Sequence, residues 1–179
     1  LKALNTLKDL QKDGKVAQDF TVGLGNEIYL VAQEELESKL EAKERVDFYH
    51  FILIALDNEG HRQLRELSTR AWAKMFNHKG IERVPTYMSD LKEVIGSNKG
   101  HVVGSTACLG GQLSKAILKE DYELANEFID WCQDVFGEDY FYLEIQPHKK
   151  RNSEEELVEQ EIVNVWIKEE FINEFLEIT

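Results

Sequence analysis

The chain has 179 residues, enough for one sizeable hydrophobic core and short for two. It is 42% hydrophobic and 31% charged, a globular composition, and no run approaches the eighteen apolar residues that would span a bilayer. The formal net charge of −13 has the wrong sign for a surface that grips duplex DNA by releasing phosphate counterions, so nucleic acid would need another part of the molecule or bridging metal ions.

Leu1, Leu4, Leu7 and Leu10 predict an amphipathic helix that ends near Gly14. The chain opens inside that helical pattern with neither an initiator methionine nor a signal peptide, as expected of a piece of something longer. Residues 20–31, FTVGLGNEIYLV, read as a strand punctuated by Gly23 and Gly25. Glu27 stands inside it, and two readings are open: a carboxylate facing solvent from an alternating strand, or one that holds something. Residues 32–47 are dominated by Glu and Lys around Leu36 and Leu40. They are expected to form a solvated insertion, a frayed helix or a mobile loop, with no chemical role.

Residues 48–56 are an almost unbroken apolar run, too short and too abruptly bounded for a helix, and predict a strand covered on both faces. One polar side chain, His50, is set into it. An imidazole buried there needs either a hydrogen bond or a metal. Asp57-Asn58-Glu59-Gly60 is turn chemistry, and Leu64, Leu67, Ala71 and Met75 then mark a helix reaching about Phe76. Strand followed by helix is half of a βα unit. His61 and His78 fall at helix ends among polar neighbours and read as surface residues. Pro85 marks a connection, and Ser89 is expected to cap a short helix carrying Leu91, Val94 and Ile95, closed by Gly96.

Residues 101–107 predict another strand, ending in Cys108-Leu109-Gly110-Gly111. Ligands of α/β folds collect at the carboxyl ends of strands, and glycines there let backbone come close to them. Cys108 is therefore either a small buried hydrophobe or a ligand. Cys132 lies on the apolar stripe Leu124, Phe128, Cys132, Val135 and reads as core. With no CxxC spacing, the two thiols point to a reducing, cytoplasmic setting rather than a disulfide. A helix ending at Gly137 leads into a strand over 140–146, where Glu144 is either pleat alternation or a site residue. Ser153-Glu154-Glu155-Glu156 has the form of a capping box, followed by an apolar face of Val158, Ile162, Val165, Ile172 and Leu176. Strand and helix alternate throughout, so the class is α/β with a largely parallel sheet in a single domain over 1–179.

GNEIYLV around Glu27, FYHFILIALDNEGHRQL around His50, VVGSTACLGG around Cys108 and FGEDYFYLEIQ occur in this order. Together they resemble the polymerase-and-histidinol-phosphatase (PHP) domain of bacterial replicative DNA polymerase III alpha subunits, over about residues 20–146. The resemblance implies a distorted seven-stranded βα, TIM-like barrel with divalent metal ions at its mouth: zinc, or manganese, iron or magnesium. Glu27, His50 and Cys108 match metal-ligand positions of that family. The implied chemistry is metal-dependent 3′–5′ exonuclease or phosphoesterase work within a DNA-directed DNA polymerase, a nucleotidyltransferase. Implied partners are the remainder of the alpha subunit, DNA held through that parent, and other replisome subunits, in the cytoplasm and away from membranes. The family's His-x-His, Thr-Asp-His and Asp-x-His segments do not occur here; the first two would precede Leu1 and the last would follow Thr179. The resemblance thus implies an incomplete site and missing outer strands. A free-standing PHP phosphoesterase acting on a small phosphorylated metabolite, and a non-catalytic docking module, are the competing readings.

Overall fold

The computed structural model describes residues 2–146 and 154–171. Five strands form one open sheet: β1 (Leu24–Val31), β2 (Tyr49–Ala55), β5 (Pro85–Tyr87), β6 (Val102–Ser105) and β7 (Phe141–Tyr142), in the spatial order β5-β1-β2-β6-β7. The outer pairings, β5 with β1 and β6 with β7, are parallel, whereas β2 runs against both of its neighbours. The sheet is therefore mixed rather than largely parallel, and among the described residues it does not close into a barrel. Strand–helix alternation misleads here for a physical reason. Helix α2 (Gln33–Glu41) interrupts the link between two antiparallel neighbours, which need no crossover at all.

The register of β1 on β2 decides what each face carries. Glu27 lies opposite Ile52 and Tyr29 opposite His50. Paired residues on antiparallel strands share a face, and faces alternate along each strand. Ile28, Leu30, Phe51 and Leu53 thus turn together into the core and are all buried, while Glu27, Tyr29, His50 and Ile52 share the other face. The expectation that 48–56 is covered on both sides holds for the first face only: Ile54, on the second, is 38% exposed.

Four helices close the core over the first face: α3 (Asn58–Ala73), α5 (Gln112–Leu118), α6 (Tyr122–Phe136) and α7 (Glu154–Phe171), with α4 (Met88–Val94) beside α3. Phe51 sits at the centre, its ring 5.7 Å from that of Phe136, 6.2 Å from Phe128 and 6.4 Å from Phe141. Cys132 is fully buried in this cluster. On α7 the inward residues are Gln160, Val163 and Ile167, whereas Ile162 and Val165 of the predicted stripe face out. Val163 and Ile167 lie four residues apart and the exposed pair three, both helical steps, so apolar spacing alone does not choose a side. Ser153, Ile172 and Leu176 lie outside the described residues.

Other departures are local. The first helix, α1 (Lys2–Lys12), forms as expected but buries none of its residues. The charged stretch after β1 is the ordered helix α2, which anchors Leu36 against Val31 and Val46 in a small second cluster. Tyr87, not Ser89, precedes the first residue of α4, and no side chain caps it. After α3 the chain makes a short hairpin where a helix end and a connection are expected, β3 (Phe76–His78) and β4 (Ile81–Arg83). Lys79 and Gly80 at its tip have φ of 53° and 82°. Two successive positive φ values are the signature of the two-residue hairpin turn whose twist matches its strands.

Candidate metal centre

Because β2 runs opposite to its neighbours, its first residues reach the rim where the carboxyl ends of β1, β5 and β6 also lie. His50, the second residue of β2, meets Glu27 and Cys108 there. Glu27 reaches diagonally across the strand pair to place Oε1 2.7 Å from His50 Nδ1. Cys108 Sγ lies 3.6 Å from the same nitrogen. An oxygen, a nitrogen and a sulphur thus gather at one point, supplied by two strands and the loop after β6.

That loop is fastened at several points. The His50 N–H donates to the Gly110 carbonyl at 3.0 Å, and the Gly111 N–H to the Cys108 carbonyl at 2.8 Å. Ser114 Oγ donates to the Cys108 carbonyl at 3.2 Å, and the Gly110 N–H points at Cys108 Sγ at 3.4 Å. Gly110 lies flat on the imidazole: a Cβ there would stand 3.1 Å from His50 Cγ and Cδ2. At Gly111 a Cβ would collide with the Thr106 carbonyl. Close approach requires glycine at position 111 and leaves little room for a side chain at 110, as the sequence suggests. One strand further on, Glu144 accepts from Ser105 Oγ at 2.9 Å and Gln146 Nε2 at 2.6 Å, so its carboxylate is held among neighbours on the same rim.

Among the described residues, no group of three or more His, Cys, Asp and Glu side chains is arranged as a metal cage. The donor chemistry of Glu27, His50 and Cys108 nonetheless fits a borderline divalent ion, which takes mixed O, N and S ligands. Cys132 gives the contrast: burial alone pushes its thiol well above the ordinary range, and it has no polar partner near it among the described residues.

Beside the centre opens a cleft of about 410 Å³ that shares His50 and Gly110 with it. Its wall includes Arg45 from the loop after α2, Lys79 and Arg83 from the β3–β4 hairpin, and Lys115 of α5. His78 lines it too, half-buried on β3, rather than standing apart on the surface at a helix end. His61 is exposed on α3, as expected. None of the four cations carries a sequence signal, since Arg and Lys in polar segments look the same whether solvated or convergent.

A family model described as "PHP domain" matches residues 1–148. Among curated proteins the chain is similar to the probable DNA polymerase YorL of Bacillus subtilis strain 168, at 38% identity over 162 residues, covering 82% of the chain and 12% of that protein. It is similar to the DNA polymerase III subunit alpha of Chlamydia trachomatis, 31% identical over 148 residues, covering 83% of the chain and 11% of that protein. The Thermus aquaticus subunit is 28% identical over 147 residues, covering 82% and 11%. The chain spans about one ninth of the length of the relatives it matches. On a match that runs over most of its length, this chain belongs to the PHP domain family.

Proposed function

We propose that this chain is the PHP segment of a replicative DNA polymerase of the polymerase III alpha type, and that Glu27, His50 and Cys108 are part of its divalent-metal site. The observation that carries the metal reading is the meeting of Glu27 and Cys108 at one nitrogen of His50. Alpha-subunit relatives aligned over some four fifths of the chain favour a polymerase over a free-standing phosphoesterase. Zinc suits the oxygen, nitrogen and sulphur donors best; iron shares the imidazole and sulphur donors, whereas manganese and magnesium favour oxygen.

A divalent ion held by Glu27, His50 and Cys108 would supply water activation and charge neutralisation at a phosphoester oxygen. The chain's own residues prepare that chemistry. Glu27 fixes the orientation of the His50 ring, and Gly110 steadies the Cys108 sulphur with its N–H. The reaction that follows is 3′–5′ removal of nucleotides, with the remaining ligands supplied by the parent protein. Its partners are the rest of the alpha subunit, DNA held through it, and other replisome subunits in the cytoplasm.

Metal content of the purified full-length protein tests this directly. His50→Ala should lower zinc affinity about tenfold or more, an effect as large as loss of an outer-shell partner or greater. His61→Ala, on the exposed side of α3, should leave it unchanged. Equal metal retention in the two variants would rule out His50 as a ligand.

A further inference from the structure

In a chain of net charge −13, four cations converge on one cleft, and the acid among its lining residues is Asp47. The cations are poorly compensated. Lys79 and Lys115 make no ion pair among the described residues, and Arg45 meets Asp47 only at 3.6 Å, from a side chain 87% exposed. Arg83 lies over the Phe48 ring at 5.1 Å, and its Nε is buried without a hydrogen-bond partner. A buried, unsatisfied guanidinium nitrogen is costly unless something else accepts from it. Arg and Lys gathered without counter-charge are the complement of a phosphate, which offers several oxygens to a guanidinium fork.

We propose that this cleft binds the phosphate of a phosphate ester, with Arg83 and Lys115 as its principal contacts and Lys79 and Arg45 closing round it. The proposal rests on the phosphoester reading of the neighbouring centre and adds the residues that position the substrate. His50 belongs to both sites, so a phosphate seated in the cleft stands next to Glu27, His50 and Cys108. The cleft, at about 410 Å³, is larger than a lone phosphate requires. Tyr29, 41% exposed, stands edge-on to His50 at 5.3 Å between ring centroids and offers a face on which a base can stack. Arg83 and Lys115 act here as positioning residues and take no proton in the reaction.

Binding of three probes to the full 179-residue chain tests this, at low salt and with EDTA present so that metal plays no part. The probes are inorganic phosphate, thymidine monophosphate and a fluorescently labelled ten-residue oligothymidylate, the first two measured as competitors of the third. Each of Arg83→Gln and Lys115→Ala should weaken binding about threefold to tenfold and reduce the salt dependence by about one counterion. Lys8→Ala, which removes the same charge on α1, should change neither. Competition by the monophosphate at the same concentration as the oligonucleotide assigns the cleft to a single phosphate ester; a much tighter oligonucleotide assigns it to a polynucleotide strand. Equal losses in Lys8→Ala and Lys115→Ala, with both variants folded by circular dichroism, would overturn the proposal, as would failure of all three probes to bind. Neither result touches the metal reading, which stands or falls on the zinc content of His50→Ala.

Discussion

Ala107, one residue before Cys108, holds φ at 59° although it is not glycine, and its side chain is buried. The left-handed region costs an L-residue about 1–2 kcal/mol, so the surroundings must hold it there. They do: the neighbouring Thr106 N–H donates to the Tyr142 carbonyl at 3.3 Å, and Thr106 Oγ1 accepts from the Glu144 N–H at 2.9 Å. The reversal at Ala107 is what swings Cys108 back toward His50. Ala107→Val should destabilise by about 1–3 kcal/mol, because a β-branched side chain fits this conformation worst. Ala107→Gly should stay within about 1 kcal/mol of the parent. Urea denaturation reads both; a Val variant as stable as the parent would mean that the turn has relaxed. At this scale the sequence reveals the polar residues that interrupt apolar strands. Glu27 and His50 stand out because their neighbours are Ile, Leu and Phe, and Cys108 because two glycines follow it. Ala107 gives no such sign, since alanine is ordinary almost everywhere, and Arg83 gives none because a cation in a polar stretch is unremarkable until a cleft gathers several.

Helix α3 is anchored to β6 through its first turn. Asp57 Oδ1 accepts from the Gly60 N–H at 2.8 Å, and Oδ2 lies 2.7 Å from His101 Nδ1, while the Leu56 N–H donates to the His101 carbonyl at 2.9 Å. Gly60 is needed because a Cβ there would run into that same carbonyl. The Gly60 N–H, and after it His101, hold the Asp57 carboxyl below its ordinary value of 3.8. A carboxyl depressed in the folded state contributes stability above its unfolded value, and that contribution disappears as pH falls through the folded one. Asp57→Asn keeps a capping oxygen without the charge. The parent should therefore be more stable than Asp57→Asn at pH 6 and lose that advantage progressively as the pH falls below about 4, the difference being read from urea midpoints across that range. A gap that persists unchanged to pH 3 would separate the cap from the charge. The DNEG turn made this helix start readable. The β3–β4 hairpin was not, because three-residue strands carry too little alternation to register. Nor was the inward side of α7, where apolar residues lie on two sides of the helix.

For the whole molecule, the mixed sheet separates two jobs. Its helix-covered face holds the aromatic centre of the core, and its other face carries Glu27, Tyr29 and His50, with Ile54 and Tyr142 at 38% and 56% exposure. The alternation of a single strand sorts these roles: His50 faces the site, Phe51 the core, Ile52 the site and Leu53 the core. The class was legible from the alternation of strand and helix patterns, but strand direction was not, because direction is set by pairings between residues far apart in the chain. The two faces make opposite demands on similar substitutions. Phe51 is 1% exposed and packs on three other rings, so Phe51→Ala should cost about 3–5 kcal/mol. Ile54 sits three residues along the same strand with its side chain on the open face. Ile54→Ala removes contacts that are already partly wet, and should cost about 1 kcal/mol or less in the isolated chain. Urea midpoints of the two variants at one pH make the comparison, and equal losses would mean that the second face is as dry as the first. On the proposed reading as a segment of a polymerase, the same pair measured in that longer protein reports how far it covers this face: the cost of Ile54→Ala should rise toward that of a buried isoleucine where it packs there, while that of Phe51→Ala should not move.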